Sequence, residues 1–121
     1  MALANRTIEL TKIAAIALSD KLGSEIVAID LSEQLVLNQV FLLVTGNNEP
    51  QLQALSDEVQ KKLAEVGEKP IRKEGSGGWV LLDYSDLVVH IQSAELRNYY
   101  MLDRLWNDCP TIDLEIAKEN R

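Results

Sequence analysis

Of 121 residues, one is cysteine, one histidine and one phenylalanine, and only twelve are basic. A lone Cys109 forms no intrachain disulfide and builds no structural zinc site by itself, so the expected home is a reducing compartment. With His90 as the only imidazole, any triad built on a serine or cysteine nucleophile and a histidine base has to pass through that residue. Cys109 stands beside Pro110 with no basic sequence neighbour to lower its pKa, which argues against a nucleophile. Long apolar runs are also missing. Nothing approaches the ~18 consecutive apolar residues of a membrane span, and Ile8 to Leu22 is interrupted by Glu9, Thr11, Lys12, Ser19, Asp20 and Lys21, so no signal-peptide pattern appears either. The expectation is a cytoplasmic chain with no membrane partner. Neither G-x-x-x-x-G-K-[ST] nor G-x-G-x-x-G occurs, and Thr45-Gly46-Asn47 has too few glycines to wrap a diphosphate.

The shortage of basic residues has its own consequence. Nineteen acids against twelve bases give a net charge of -7, an average field that repels a nucleic acid backbone and attracts a basic protein. Direct sequence-specific nucleic-acid binding is therefore not expected. What is abundant is aliphatic: hydrophobic residues make up 46% and charged residues 26%, the balance of a globular chain. The length suits one hydrophobic core and one domain over residues 1–121, with a core at 7–110 and an acidic tail at 111–121.

Hydrophobic periodicity orders the chain as helix, two strands, helix, two or three strands, helix. Residues 7–23 predict a first helix with Ile8, Leu10, Ile13, Ile16, Ala17 and Leu22 on one face and Gly23 as its stop. Residues 25–31 and 39–46 read as strands apolar on both sides, hence interior. In the next helix Asn48 is the cap, Gln51 falls at capping-box spacing, and Pro50 sits where its missing N–H does no harm. Leu52, Leu55, Val59, Leu63 and Val66 form its buried stripe. Residues 70–74 form a short edge strand entered through Pro70. Gly75 to Gly78 make a flexible turn, and residues 79–84 and 87–92 form a hairpin around Ser85-Asp86. Ser93 caps a last helix in which Tyr99, Leu102, Leu105 and Trp106 face inward while Arg97, Asn98 and Asp103 point away. These elements predict a small α/β single domain, a mixed β-sheet flanked by helices, with a parallel step made by the crossover through residues 48–67.

The segment Gly75 to Ile91 holds the residues of most chemical interest. Gly75 and Ser76 followed by Asp83 and Asp86 loosely imitate a metal-dependent nucleotide-transfer site, yet a divalent cation needs more oxygen ligands than these, and aspartates at hairpin turns commonly bond their own backbone. Alternation along the strand puts Trp79, Leu81 and Asp83 on one face and Val80, Leu82 and Tyr84 on the other. A sheet face left incompletely covered, with Trp79 rimmed by acids, has the composition of a protein-binding hot spot. The bland reading is that Trp79 fills core beneath a helix.

The same residues carry a family resemblance. GEKPIRKEG at 67–75, GGWVLLDYSDLVVHI at 77–91 and LRNYYMLDRLWNDCP at 96–110, together with AIDL at 28–31 and FLLVTGNNEPQLQALSDEV at 41–59, resemble the ribosomal silencing factor family, also called Iojap-related. The resemblance runs from about residue 7 to 115. It implies a fold distantly nucleotidyltransferase-like in topology but without the catalytic signature, no enzymatic activity and no cofactor. It also implies binding to the large ribosomal subunit through protein uL14, which blocks joining of the small subunit and lowers translation under nutrient limitation, and a homodimer in the free state. Carried over by position, the resemblance makes Trp79 an apolar anchor at the uL14 contact with Leu81 beside it, and Asp83 and Asp86 acidic partners or turn-setting groups. Tyr84 fills a position that is hydrophobic in relatives, and Glu74 stands on the approaching strand. Gly75 and His90 belong to the scaffold near that site. Ser85 stands where a glycine is common.

Overall fold

The structure, a computed structural model, describes residues 4–34, 38–100, 104 and 106–114. Helix α1 spans Asn5–Asp20, β1 Ser24–Asp30, β2 Val40–Gly46, α2 Glu49–Ala64, β3 Arg72–Ser76, β4 Trp79–Asp83, β5 Leu87–Ser93 and α3 Ala94–Tyr100. The five strands make one sheet in the order β1-β2-β5-β4-β3. Only β2 and β5 run parallel; the other pairs are antiparallel. A parallel pair cannot be closed by a tight turn, and here α2 followed by the β3–β4 hairpin fills the crossover. The result is a small α/β domain with a mixed sheet flanked by helices.

Helix α2 forms where the sequence places it. The Asn48 side chain accepts a hydrogen bond from the Gln51 N–H at 2.8 Å, and Leu52, Leu55, Val59 and Leu63 are buried against the sheet. Each such aliphatic side chain contributes about 1.5–3 kcal/mol. Gln51 does not close the expected capping box on Asn48: its Oε1 accepts from the Asn47 N–H at 2.6 Å, while its Nε2 donates to the Lys21 and Leu22 carbonyls and ties α2 to the end of α1. Val66 lies beyond the helix and is 37% exposed.

Helix α1 buries only part of the expected face: Leu10 and Ala17 are inside and Ile13 packs against the core. Thr7, Leu10, Thr11, Ala14, Ala15, Ala17 and Leu18 are inside, whereas Ile16 is 52% and Leu22 69% exposed. Short side chains on the inner face let α1 lie close to α2 and the sheet, and close packing there outweighs burying every isoleucine. The helix ends in a Schellman motif, with Gly23 N–H bonded to Leu18 O and Leu22 N–H to Ser19 O, so the left-handed residue is Leu22 at φ 64°, one before the glycine. Gly23 is needed for another reason: a Cβ there would stand 2.6 Å from Val44 Cγ2.

β2 is interior as expected, but β1 is an outer strand. Its apolar residues are covered because residues 110–112 run along its far edge, where Asp30 N–H donates to Pro110 O, Ile112 N–H donates to Ala28 O, and Ile29 bridges Thr111. Leu114 then reaches the core under the helices.

The tight turn also moves. The two-residue link is Gly77–Gly78, both at positive φ (55° and 93°) between the paired Ser76 and Trp79, as a type I′ hairpin requires. At the other hairpin, three residues, Tyr84 to Asp86, separate the strands. Ser85 sits at φ 77° and donates its N–H to Asp83 Oδ1 at 2.8 Å.

Ser93 caps α3, accepting from the Leu96 N–H. Arg97, expected to point away, is buried at 6% exposure and donates from Nη1 to Thr45 Oγ1 at 2.9 Å. Of the stripe assigned to this helix, Trp106 packs against Ile29, Leu43 and Cys109. Leu102, Asp103, Leu105 and the Tyr99 side chain fall outside the described residues.

Candidate functional site: the β4–β3 half of the sheet around Trp79

Strand alternation divides the side chains of the sheet between two faces. Val40, Leu42, Val44, Leu82, Val89 and Ile91 lie under α1 and α2 in the larger core. On the opposite face the register aligns Thr45, Gln92, Trp79 and Ser76 in one row, and Leu43, His90, Leu81 and Glu74 in the next. Phe41, Val88, Asp83 and Arg72 form a third row. Trp106 and Cys109 close over the β1–β2 half of this face, joining Ile29, Leu31 and Leu43 in a second cluster. Among the described residues nothing closes over the β4–β3 half. There Trp79 and Leu81 are half-buried, Glu74, Gly75 and Ser76 are exposed, and these five residues line a shallow groove of about 250 Å³.

The indole is held from beneath. Trp79 Nε1–H donates to His90 Nδ1 at 3.3 Å, and the two rings lie 5.9 Å apart. Phe41 meets the other side of the imidazole edge-on at 4.6 Å. His90 is 5% exposed, and burial pushes its pKa down from 6.5 to about 4. It is therefore neutral at pH 7, and because Nδ1 accepts, the ring proton sits on Nε2. An imidazole with one nitrogen committed to an indole and the other buried is a scaffold element and a poor general base. Trp79 lies directly across from Gln92, so its bond to His90 is diagonal between neighbouring strands.

The acids behave differently from one another. Asp83 is half-buried, accepts from the Ser85 N–H and lies 3.6 Å from Arg72 Nη2. Glu74 is exposed, pairs across the strands with Leu81, and is 3.5 Å from Arg72 Nη1. Asp86 is exposed in the turn, where its carbonyl accepts from the Gln39 and Val40 N–H groups. Tyr84 does not join this surface. It is 7% exposed in the core beneath the helices, where burial and the charge of Glu68 push its phenol up to about 12. The structure thus gathers Glu74, Gly75, Trp79 and Leu81 in one groove beside His90, sets Asp83 two rows farther along the same face, leaves Asp86 at the hairpin tip and turns Tyr84 inward. Sequence reasoning did not pick out Ser76 as part of the lining, although its pairing with Trp79 follows from a two-residue turn at Gly77–Gly78.

The nucleotide-transfer imitation separates on the same register. Ser76 pairs with Trp79 at one end of the hairpin, and Asp83 pairs with Arg72 four residues away, roughly 13 Å at ~3.3 Å per residue. Among the described residues no group of three or more His, Cys, Asp or Glu is placed to hold a metal. Cys109 is buried, and burial, with Asp108 and Asp30 nearby, pushes its thiol pKa up, away from a reactive thiolate.

Comparison with known proteins supplies context for this face. Residues 4–121 match the family model described as ribosomal silencing factor during starvation. The ribosomal silencing factor RsfS of Halalkalibacterium halodurans is 38% identical over 109 residues, covering 88% of this chain and 93% of the relative. That of Bacillus subtilis is 37% identical over 110 residues, covering 89% and 93%. A crystal structure of a Chromobacterium violaceum protein superposes with a TM-score of 0.78 at 36% identity, over 90% of this chain and 92% of that one.

Proposed function

Because the chain belongs to the ribosomal silencing factor family, we propose that it represses translation by binding the large ribosomal subunit through protein uL14 and sterically blocking the small subunit, under nutrient limitation. The observation that carries this reading is the half-buried Trp79 in a groove on the half of the sheet that no described residue covers, with the Glu74 carboxylate in the groove lining and Asp83 two rows farther along the same face. A pinned aromatic ring loses little conformational freedom on binding, which is what an interface anchor needs. The flanking carboxylates and the -7 net charge favour a basic protein and speed the encounter. Trp79 and Leu81 supply apolar contact, Glu74 and Asp83 meet cations, Asp86 borders the contact from the hairpin tip, and Gly75 and His90 support it.

Occupancy is the whole mechanism on this reading: a bound domain opposes subunit joining without turnover, metal or cofactor, in the cytoplasm. In the free state the chain is a homodimer that must part, or present another face, to dock. The topology is, on this reading, distantly nucleotidyltransferase-like without the catalytic signature, and the wide separation of Ser76 from Asp83 gives a metal-dependent transferase no site there. Light scattering of subunit joining tests the proposal. Preincubating large subunits with the chain should depress association with small subunits in proportion to occupancy, and unchanged association would overturn it. Titration with ATP and Mg²⁺ should give no heat.

A further inference from the structure

On the average the chain is acidic, but its cations are not evenly spread. Five of the twelve basic residues, Lys61, Lys62, Lys69, Arg72 and Lys73, fall within thirteen positions. Lys61, Lys69 and Lys73 converge on one groove of about 520 Å³, whose other lining residues are Asp57, Gln60, Ala64 and Pro70. The Asp57 carboxylate accepts from Gln53 Nε2, and Glu68 nearby in sequence is engaged by Arg6 at 3.1 Å. All three lysines are exposed, and none is ion-paired among the described residues. Lys61 and Lys62, in the last turn of α2, already have a structural purpose in meeting the negative end of the helix. Lys69 and Lys73 lie beyond the helix, outside the reach of its C-terminal dipole.

The register says where this groove faces. Lys73 pairs with Leu82, which belongs to the core under α1 and α2, whereas Arg72 and Glu74 pair with Asp83 and Leu81 on the Trp79 face. One edge strand, β3, thus separates an aromatic groove on one side from a basic groove on the other. We infer that the α2–β3 groove is a second contact surface, which takes the phosphate backbone of RNA at the large subunit while the Trp79 face holds the protein partner. The inference rests on the proposed ribosomal docking. Three ammonium groups around an open groove suit a polyanion read by charge and spacing with no demand on sequence, in keeping with a chain that makes no sequence-specific nucleic-acid contact. In a ribosomal subunit, proteins are embedded in RNA, so a domain anchored on one of them brings its flank against phosphates.

The test measures affinity for purified large subunits and for isolated uL14 across a salt series, using the whole chain and the triple variant Lys61→Gln, Lys69→Gln, Lys73→Gln, with circular dichroism to verify its fold. Each phosphate contact contributes about 0.7–0.9 to the slope of log affinity against log salt. The triple variant should therefore lose a slope of about 2 on the subunit and leave uL14 affinity unchanged, with Lys69→Gln and Lys73→Gln alone each losing about 1. Identical salt curves for wild type and variants overturn the inference while leaving docking intact. A wild type that fails to bind subunits overturns the docking reading and the inference with it. A photoreactive group on Lys69→Cys should capture RNA, and a protein adduct would overturn the assignment to phosphate.

Discussion

Acidification should loosen the groove at one identifiable atom. His90 Nδ1 is the acceptor for the Trp79 indole N–H, so a proton arriving there would set two donors against each other at 3.3 Å. The opposite nitrogen, Nε2, is buried and meets no hydrogen-bond partner among the described residues, and Phe41 and Leu43 line the approach from β2. The neutral ring is favoured on every side. Folding lowers the pKa from 6.5 to about 4, so between those values the unfolded chain holds the proton more tightly. Stability from this group is complete above pH 6.5 and is lost as pH falls toward 4. At about 1.4 kcal/mol per tenfold change in proton affinity the loss is roughly 3 kcal/mol, a large part of a typical ~5–15 kcal/mol total. Urea unfolding at intervals from pH 7 to 4 measures it, and His90→Gln removes it, so the difference in stability between wild type and variant should shrink by roughly 3 kcal/mol across the interval. Carboxylates titrate alike in both proteins and cancel. A difference that stays constant with pH would refute the assignment.

Two further outcomes follow from local geometry. Ser85 holds a left-handed φ of 77°, so Ser85→Gly should raise the unfolding midpoint, adding about 0.5–1 kcal/mol, as read by thermal or urea denaturation. Gly23→Ala should lower stability by roughly 1–3 kcal/mol, because the added methyl would stand 2.6 Å from Val44 Cγ2 and force α1 and β2 apart; an unchanged midpoint would show that the interface yields freely.

What the sequence made legible was local and redundant. Helix α2 announced itself through a cap, a proline and an apolar stripe of which Leu52, Leu55, Val59 and Leu63 are buried while Val66 falls beyond the helix, and strand alternation placed Trp79, Leu81 and Asp83 on one face. The rest depended on what lay across the fold. Nothing near Ile16 in sequence says that alanines would be preferred inside, because that choice is made by the distance between α1 and α2. Arg97 looked solvent-facing on its own helix, and its meeting with Thr45, on a strand 52 residues earlier in the chain, is what its own segment could not show. β1 read as interior because its cover comes from residues 110–112, at the other end of the described chain. Tyr84 had the right alternation for an inward position, and it is buried in the core on the face opposite Trp79. The His90 imidazole was legible as scaffold, but its bond to Trp79 required the diagonal register of two strands.

The most direct test of the account is retention of Trp79→Ala on purified large ribosomal subunits in a sedimentation assay, with far-UV circular dichroism as the control for folding. Truncating a central aromatic anchor should cost about 2 kcal/mol or more, so affinity should drop by roughly thirtyfold or more with secondary structure unchanged. Undiminished retention of the folded variant would contradict the claim that the Trp79 face is where this protein meets the ribosome.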